Sequence, residues 1–263
     1  QVALASKFEH TLSNRKNKNA QALKLLNDFG KSISNYLGLH RSTENELCFA
    51  IRLKDLDGVI DVKRYTSIGK IDSVFTVMDV CDIVDEKVNV AQWGREVVDW
   101  IRIDDLPNQP LDIEMVRTQS ASEIKGTFFE VQKDDILVAR LGPTILNQKI
   151  VMVRNPERKT IASTEFLVLR VKSGYAPEAV MAVLKTTYYR DLMYSHARGS
   201  TPSRYRLNKE DMLKLPFPDI RSRQDQIVNE ANAVRKQVKI MRSEAEYEWM
   251  RAKAQFEKEL LEN

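Results

Sequence analysis

The chain has 263 residues, 43% hydrophobic and 30% charged, with a formal net charge of +4 at neutral pH. That length suffices for one well-buried core plus a helical appendage. No apolar run approaches the ~18 residues a membrane span needs, and the first residues lack the charged-then-apolar pattern of an export signal. A cytoplasmic location is therefore expected, with no membrane partner. Cys48 and Cys81 are the only cysteines; two of them form no spaced framework, and reduced thiols are expected. A start at Gln1 rather than Met is expected of a fragment of something longer.

Residues 1–38 read as helical. Leu23, Leu26, Phe29, Ile33 and Leu37 recur at spacings of three and four, and Gly38 is placed to cap the C-terminal end. The polar, basic run Asn14–Asn19 is expected to break this helix or expose it. Residues 39–70 carry few signals and read as a lead-in. Residues 71–222 predict an α+β domain with a curled mixed sheet. The strand-like runs are Phe75–Val80, Trp100–Ile103, Phe128–Val131, Ile136–Arg140, Ile150–Val153 and Phe166–Val171, separated by Asp, Asn, Pro and Gly. A helix is predicted over Pro177–Met193, its proline in the first turn. Leu215-Pro216-Phe217-Pro218 then predicts an extended exit.

Residues 223–263 read as one long coiled-coil-forming helix from Gln224, free of Pro and Gly. Ile227, Ala231, Val234, Val238, Met241 and Ala245 form a heptad seam that continues at Trp249, Ala252, Phe256 and Leu260. The 4-4-3 steps from Met241 to Ala252 make an eleven-residue drift that locally straightens a supercoil. So narrow a stripe needs a partner helix. Ile227, Val234, Val238, Met241, Trp249 and Phe256 are the candidate interface for self-association or for a partner protein.

Charge is unevenly spread. Residues 71–136 hold 6 Lys/Arg against 15 Asp/Glu, whereas residues 137–206 hold 12 against 4. A basic half suits phosphate contact; the alternative is that the two halves neutralise each other. Within the basic half, Lys185, Arg190, Arg198, Arg204 and Arg206 interleave with Tyr188, Tyr189, Tyr194, His196 and Tyr205. Such a mixture suits backbone tracking on a nucleic acid, although Tyr188 and Tyr194 equally suit a helix's apolar face. The turn Gly199–Arg206 offers Ser200, Thr201, Ser203, Arg204 and Arg206, with Arg198 just before it, as phosphate contacts. Arg140 and Gln148 have the donor geometry to read a purine in the major groove, and Lys149 suits a phosphate. The competing readings are an internal salt bridge for Arg140 and a plain solvated turn for Gln148. Arg154, Arg158 and Lys159 read as a solvated basic loop. Asp112 followed by Glu123 and Lys125 has the spacing of a PD-(D/E)xK nuclease, but loop formers crowd the motif. Methyltransferase and Walker motifs are missing, and the three histidines lack metal-ligand spacing. No catalytic residue, cofactor or metal is therefore assigned to this chain. A coiled-coil interaction protein with no DNA function is the third alternative.

Five segments carry a resemblance. Asp134–Thr144 (DDILVARLGPT), Lys149–Val151, Ala162–Leu169 (ASTEFLVL), Gly199–Leu207 (GSTPSRYRL) and Met212–Gln226 (MLKLPFPDIRSRQDQ) occur in order. Together they resemble the target-recognition domain and spacer helix of type I restriction–modification specificity subunits, across roughly residues 71–263. Pro218-Asp219 and Arg223-Gln224 depart from that family's usual Pro-Pro and Glu-Gln. The resemblance implies sequence-specific binding of double-stranded DNA, on behalf of an adenine-N6 methyltransferase that carries S-adenosylmethionine on the partner subunit or fused domain. One recognisable copy implies a half-subunit that dimerises or the recognition end of a fused restriction–methylation enzyme.

Overall fold

The computed structural model describes residues 2–39, 73–113 and 116–261. Cys48 and nearly all of the 39–70 lead-in lie outside them. The chain divides into two compact units, Gly30–Val228 and the pair Gln1–Phe29 with Asn229–Asn263.

The first unit is a pair of helices. Helix α1 spans Val2–Tyr36 without interruption, so the polar run at 14–19 does not break it. The reason is electrostatic. Arg15 donates to Glu246 at 2.6 Å, and Lys18 reaches Glu248 at 2.9 Å and Glu244 at 3.4 Å, all three on the terminal helix Gln224–Leu261. Phe8 packs against Trp249 and Phe256 with ring centroids 4.8 Å apart, and the Arg15 guanidinium lies 5.2 Å from the Trp249 ring centre. Rising numbers on α1 meet falling numbers on its neighbour, so the pair is antiparallel. The seam has the register read from the sequence: Val238 and Ala245 are buried, and Val234, Met241, Trp249, Ala252 and Phe256 are half-buried. Its partner is the chain's own α1. The end of α1 belongs to the other unit. There Leu39 N–H bonds Ser34 O at 2.7 Å and Gly38 N–H bonds Asn35 O at 3.2 Å. With Gly38 at φ +67°, this is a Schellman cap.

The second unit holds two sheets. Thr76 opens it: its N–H and hydroxyl both donate to Asp79 Oδ2, at 2.7 and 2.8 Å. Those bonds hold that carboxyl below its usual pKa and turn Val77–Val80 into one helical turn, α2, where the sequence suggested a strand. The strands follow as β1 Cys81–Val84, β2 Lys87–Asn89, β3 Val97–Ile101, β4 Arg117–Ser120, β5 Thr127–Val131 and β6 Ile136–Ala139. After the short helix α3, Gly142–Leu146, come β7 Ile150–Met152, β8 Thr160–Ala162 and β9 Phe166–Val171. One sheet is antiparallel in the order β1-β9-β6-β7; the other, in the order β2-β5-β8-β3-β4, is mixed through the parallel pair β3–β8. Two sheets thus stand where one curled sheet was expected. Alternation explains how they meet. Ile101, Phe129, Val131 and Ala162 point from the mixed sheet to the same core as Leu137, Ala139, Val151, Phe166 and Val168 of the antiparallel sheet. Their neighbours Val98, Phe128 and Ile161 face the other way, into a second cluster with Val90, Ala121 and Ile124.

The predicted helix 177–193 is two helices, α4 Pro177–Leu184 and α5 Thr187–His196. Thr186 divides them, because its hydroxyl accepts the Tyr189 N–H and caps α5. A short helix α6, Lys209–Leu213, and the extended Pro216–Phe217 segment complete the unit; Phe217 N–H bonds Phe75 O at 2.9 Å. Helix α7, Gln224–Leu261, follows. Cys81 is a free, buried thiol whose pKa burial pushes up to about 12. Among the described residues, no helix is long and apolar enough to cross a membrane.

One buried carboxylate fixes the turn that feeds β6. Asp135, 1% exposed, takes two bonds from Arg170, at 2.9 and 2.8 Å, and one from Gln132 N–H at 2.8 Å. Removing it strands the Gln132 donor and half-strips the guanidinium. Asp135→Ala is expected to lower stability by about 1–3 kcal/mol, read as a fall in the urea midpoint at unchanged slope.

Candidate nucleic-acid interface

Two turns sixty residues apart are joined backbone to backbone. Leu207 N–H donates to Arg140 O at 2.9 Å, and Gly142 N–H donates to Tyr205 O at 2.7 Å. Arg206 is pinned from the other side by paired bonds with Arg198, at 2.8 and 3.0 Å. The approach is close enough to require glycine at two points. A Cβ on Gly142 would sit 2.8 Å from Pro202 O, and one on Gly199 would sit 2.5 Å from Arg204 O. The loop 199–206 is thereby clamped on the start of α3, with Tyr194 and Tyr205 packed beneath it at 5.9 Å.

Within this surface the predicted residues have different surroundings. Ser200, Thr201, Ser203 and Arg204 are exposed; the Thr201 and Ser203 hydroxyls lie 3.2 Å apart. Arg204 makes no ion pair among the described residues. Arg198 is held by Asp211 at 2.8 Å. Arg206 is held by both oxygens of Glu165, at 3.1 and 2.9 Å, and that contact raises its already high pKa further. Among the described residues, Arg140 makes no salt bridge to the acidic half. It is half-buried, its Nη2 reaches Asn208 Oδ1 at 3.3 Å, and its Nε is sealed from solvent without a hydrogen-bond partner.

Gln148 and Lys149 are not part of this surface. Gln148 has φ +46° and is 3% exposed, and its amide donates to Lys185 O at 2.6 Å. A buried amide spent on the carbonyl end of α4 is a structural group, so Gln148 is withdrawn as a base reader. Lys149 donates its ammonium to Ile103 O at 3.0 Å. Tyr188 and Tyr189 are core residues; burial drives the Tyr188 hydroxyl up to about 12, and Tyr189 donates to Pro216 O at 2.6 Å.

The charge asymmetry cancels in part in three dimensions. Arg154, Arg158, Lys159, Arg170 and Lys172 pair with Asp112, Asp99, Glu96, Asp135 and Asp82. The loop 154–159, expected to be solvated, is thus tied to the acidic half. Of the nuclease-like residues, Asp112 is engaged by Arg154 at 3.2 Å, and Glu123 is exposed in the 3-10 turn Ala121–Glu123. Among the described residues, no group of three His, Cys, Asp or Glu is placed to hold a metal. Sequence reasoning missed Asp211, Glu165 and Asn208, which orient the arginines. No sequence signal marks them, because Glu165 lies 41 positions from Arg206 and Asn208 lies 68 from Arg140.

Comparison with known proteins now bears on this geometry. No protein-family model and no curated protein matches the sequence. Two solved structures match at TM-scores of 0.54 and 0.51, each 19% identical and each covering 71% of this chain and 46% of theirs. The first is a chain from a study of complex assembly and conformational transition of the type I R-M system. The second is the HsdS subunit from Thermoanaerobacter tengcongensis. The structural neighbours of this chain are type I restriction–modification specificity subunits. At that identity the likeness is one of fold, and this chain spans about half the length of the subunits it matches.

The clamp between the turns is testable. Gly199→Ala forces its new methyl against backbone and is expected to cost about 1–3 kcal/mol. Hydrogen exchange should accelerate across 198–206 while amides of β6 and β9 keep their protection.

Proposed function

We propose that this chain is a DNA-recognition subunit or domain of a type I restriction–modification system. It reads a double-stranded target for a partner adenine-N6 methyltransferase, which carries S-adenosylmethionine, and it does no catalysis itself. The observation that carries this reading is the clamped 198–206 loop, with an exposed run of three hydroxyls and Arg204, which makes no ion pair among the described residues, on a fold shared with specificity subunits. Hydroxyls and guanidinium together are what phosphates take. Arg198 and Arg206, already held by carboxylates, orient the loop, and Arg140 beside it is the candidate base reader. A cytoplasmic site of action accords with this role.

Selection of duplexes by the full chain from a randomised pool tests the reading: enrichment of one sequence is expected, and a chain that retains no duplex refutes it. On the selected duplex, Arg204→Ala should weaken binding to selected and scrambled sequences alike. It should also reduce the slope of log K against log salt by roughly 0.9, the share of one phosphate contact. An unchanged slope places the phosphate surface elsewhere.

The methyltransferase requires a docking face. The seam at Val234, Val238, Met241, Trp249 and Phe256 is occupied by α1 within this chain, and Ile227 is buried beside the globular unit's end of α7. Ile240, Tyr247 and Met250 are instead 48%, 69% and 58% exposed. At about 100° per residue they fall on the opposite half of α7 from Val238 and Ala245, with Lys236, Lys239 and Arg251 around them. We place the partner's contact on this outer face, and self-association through a second copy competes for it. Tyr247→Asp with Met250→Asp should abolish partner binding in co-purification while helix content by circular dichroism stays. Val238→Asp should instead reduce helix content. Undiminished capture of the methyltransferase by the double variant would remove the outer face from the interface.

A further inference from the structure

Glu165 stands in the turn between β8 and β9, and its two carboxylate oxygens accept from Arg206 at 2.9 and 3.1 Å. Main-chain bonds fix each partner independently of this contact. Arg140 N–H donates to Glu165 O at 3.1 Å, and Arg206 exchanges bonds with Arg198 at 2.8 and 3.0 Å. Leu207 N–H, next along the chain, holds Arg140 O at 2.9 Å. Arg206 thus orients the loop through its backbone. Its guanidinium can leave Glu165 while the loop and the turn keep their places.

The neighbouring arginine shows what is particular to this pair. Arg198 and Arg206 are bridged as opposed residues, which puts their side chains on one face of a short ladder. Their carboxylates differ in exposure. The Asp211 side chain, which holds Arg198, is 8% exposed, whereas Glu165 keeps 34% of its side chain in solvent and Arg206 keeps 49%. A buried carboxylate that gives up its cation leaves a charge unpaired in the interior. An exposed one does not, because water solvates both partners, and such pairs hold weakly. Arg198–Asp211 is therefore a fixed strut, and Arg206–Glu165 is an exchangeable contact.

The form of the contact says what exchanges with Glu165. Two N–H···O bonds from one guanidinium to two oxygens of one group are how arginine takes either a carboxylate or a phosphate. Ser200, Thr201, Ser203 and Arg204 are exposed on the same loop, and hydroxyls beside a guanidinium suit the phosphate.

We propose that Arg206 is a phosphodiester-binding residue which Glu165 occupies as a stand-in anion, limiting the affinity of this chain for any duplex. The proposal rests on the DNA-recognition reading above. It gives the effect of Glu165 a sign. A carboxylate that only steadies the loop strengthens binding, whereas one that competes with phosphate weakens it.

The test uses the full chain and a scrambled duplex, so that phosphates alone are probed. Glu165→Gln keeps the shape of the side chain and removes its charge. It is expected to tighten binding roughly 8-fold at about 0.1 M salt and to steepen the slope of log K against log salt by roughly 0.9, the share of one phosphate. The same substitution added to Arg206→Ala should change binding by about 2-fold or less, because no cation is left to release. Glu210→Gln, an equal change of charge on exposed α6, should also give about 2-fold or less. An unchanged urea midpoint shows that each variant is folded. If Glu165→Gln leaves binding unchanged or weakens it, Glu165 does not compete with phosphate, and the inference falls while DNA recognition stands. A gain that persists without Arg206, or that Glu210→Gln reproduces, is a general effect of charge and also overturns it. If neither wild type nor Glu165→Gln holds any duplex, the DNA-recognition reading fails and this inference fails with it.

Discussion

The candidate interface depends on the pair of main-chain hydrogen bonds that ties 140–142 to 205–207. Neither turn has a core of its own. Each is a short connection whose shape is borrowed from the other, and the two glycines that permit contact sit on opposite sides of the junction. Rigidity reaches the loop through this clamp. β6, buried on both faces, holds Arg140 and Gly142 in register, and they in turn hold Arg206. A recognition loop built in this way loses little conformational freedom on binding, which is the usual route by which a modest contact set gains affinity.

The sequence was most legible where one physical rule acted alone. The α7 seam came out in its correct register because a 3–4 spacing over 38 residues has no competing explanation. β9 and the cap at Gly38 were read for the same reason. Local hydrogen bonding defeated pattern reading elsewhere: the Thr76–Asp79 bonds turned a β-like run of Val and Met into a helical turn, and the Thr186 hydroxyl split one apparent helix into two. β1, β2, β4 and β8 are three or four residues long and were missed; β6 and β7, equally short, were read because each is an unbroken apolar run. In the site, the exposed loop 199–206 was legible as a turn with donors, but the carboxylates that restrain its arginines were not, because pairing across folded distance leaves no trace in local spacing.

Charge gives a sharper version of that lesson. A segment with 12 basic residues against 4 acidic ones invites a reading as a phosphate surface. Five of those twelve neutralise the preceding acidic segment. The asymmetry is to that extent a property of strand pairing: neighbouring strands within each sheet come from opposite halves, and opposite signs meet there. What survives for a ligand is concentrated at Arg204 and its neighbouring hydroxyls.

Under the proposed DNA-recognition reading, the cations that the basic half spends on carboxylates bear on affinity. Non-specific affinity for a duplex is set largely by the number of phosphates neutralised, and a cation already held by a carboxylate adds less to it. The exposed apolar stripe of α7 faces away from its own helical partner. Ile240, Tyr247 and Met250 have no role in the helix pair that Val238 and Ala245 already close. That exposure is why the proposed partner contact is put on this face rather than on the seam.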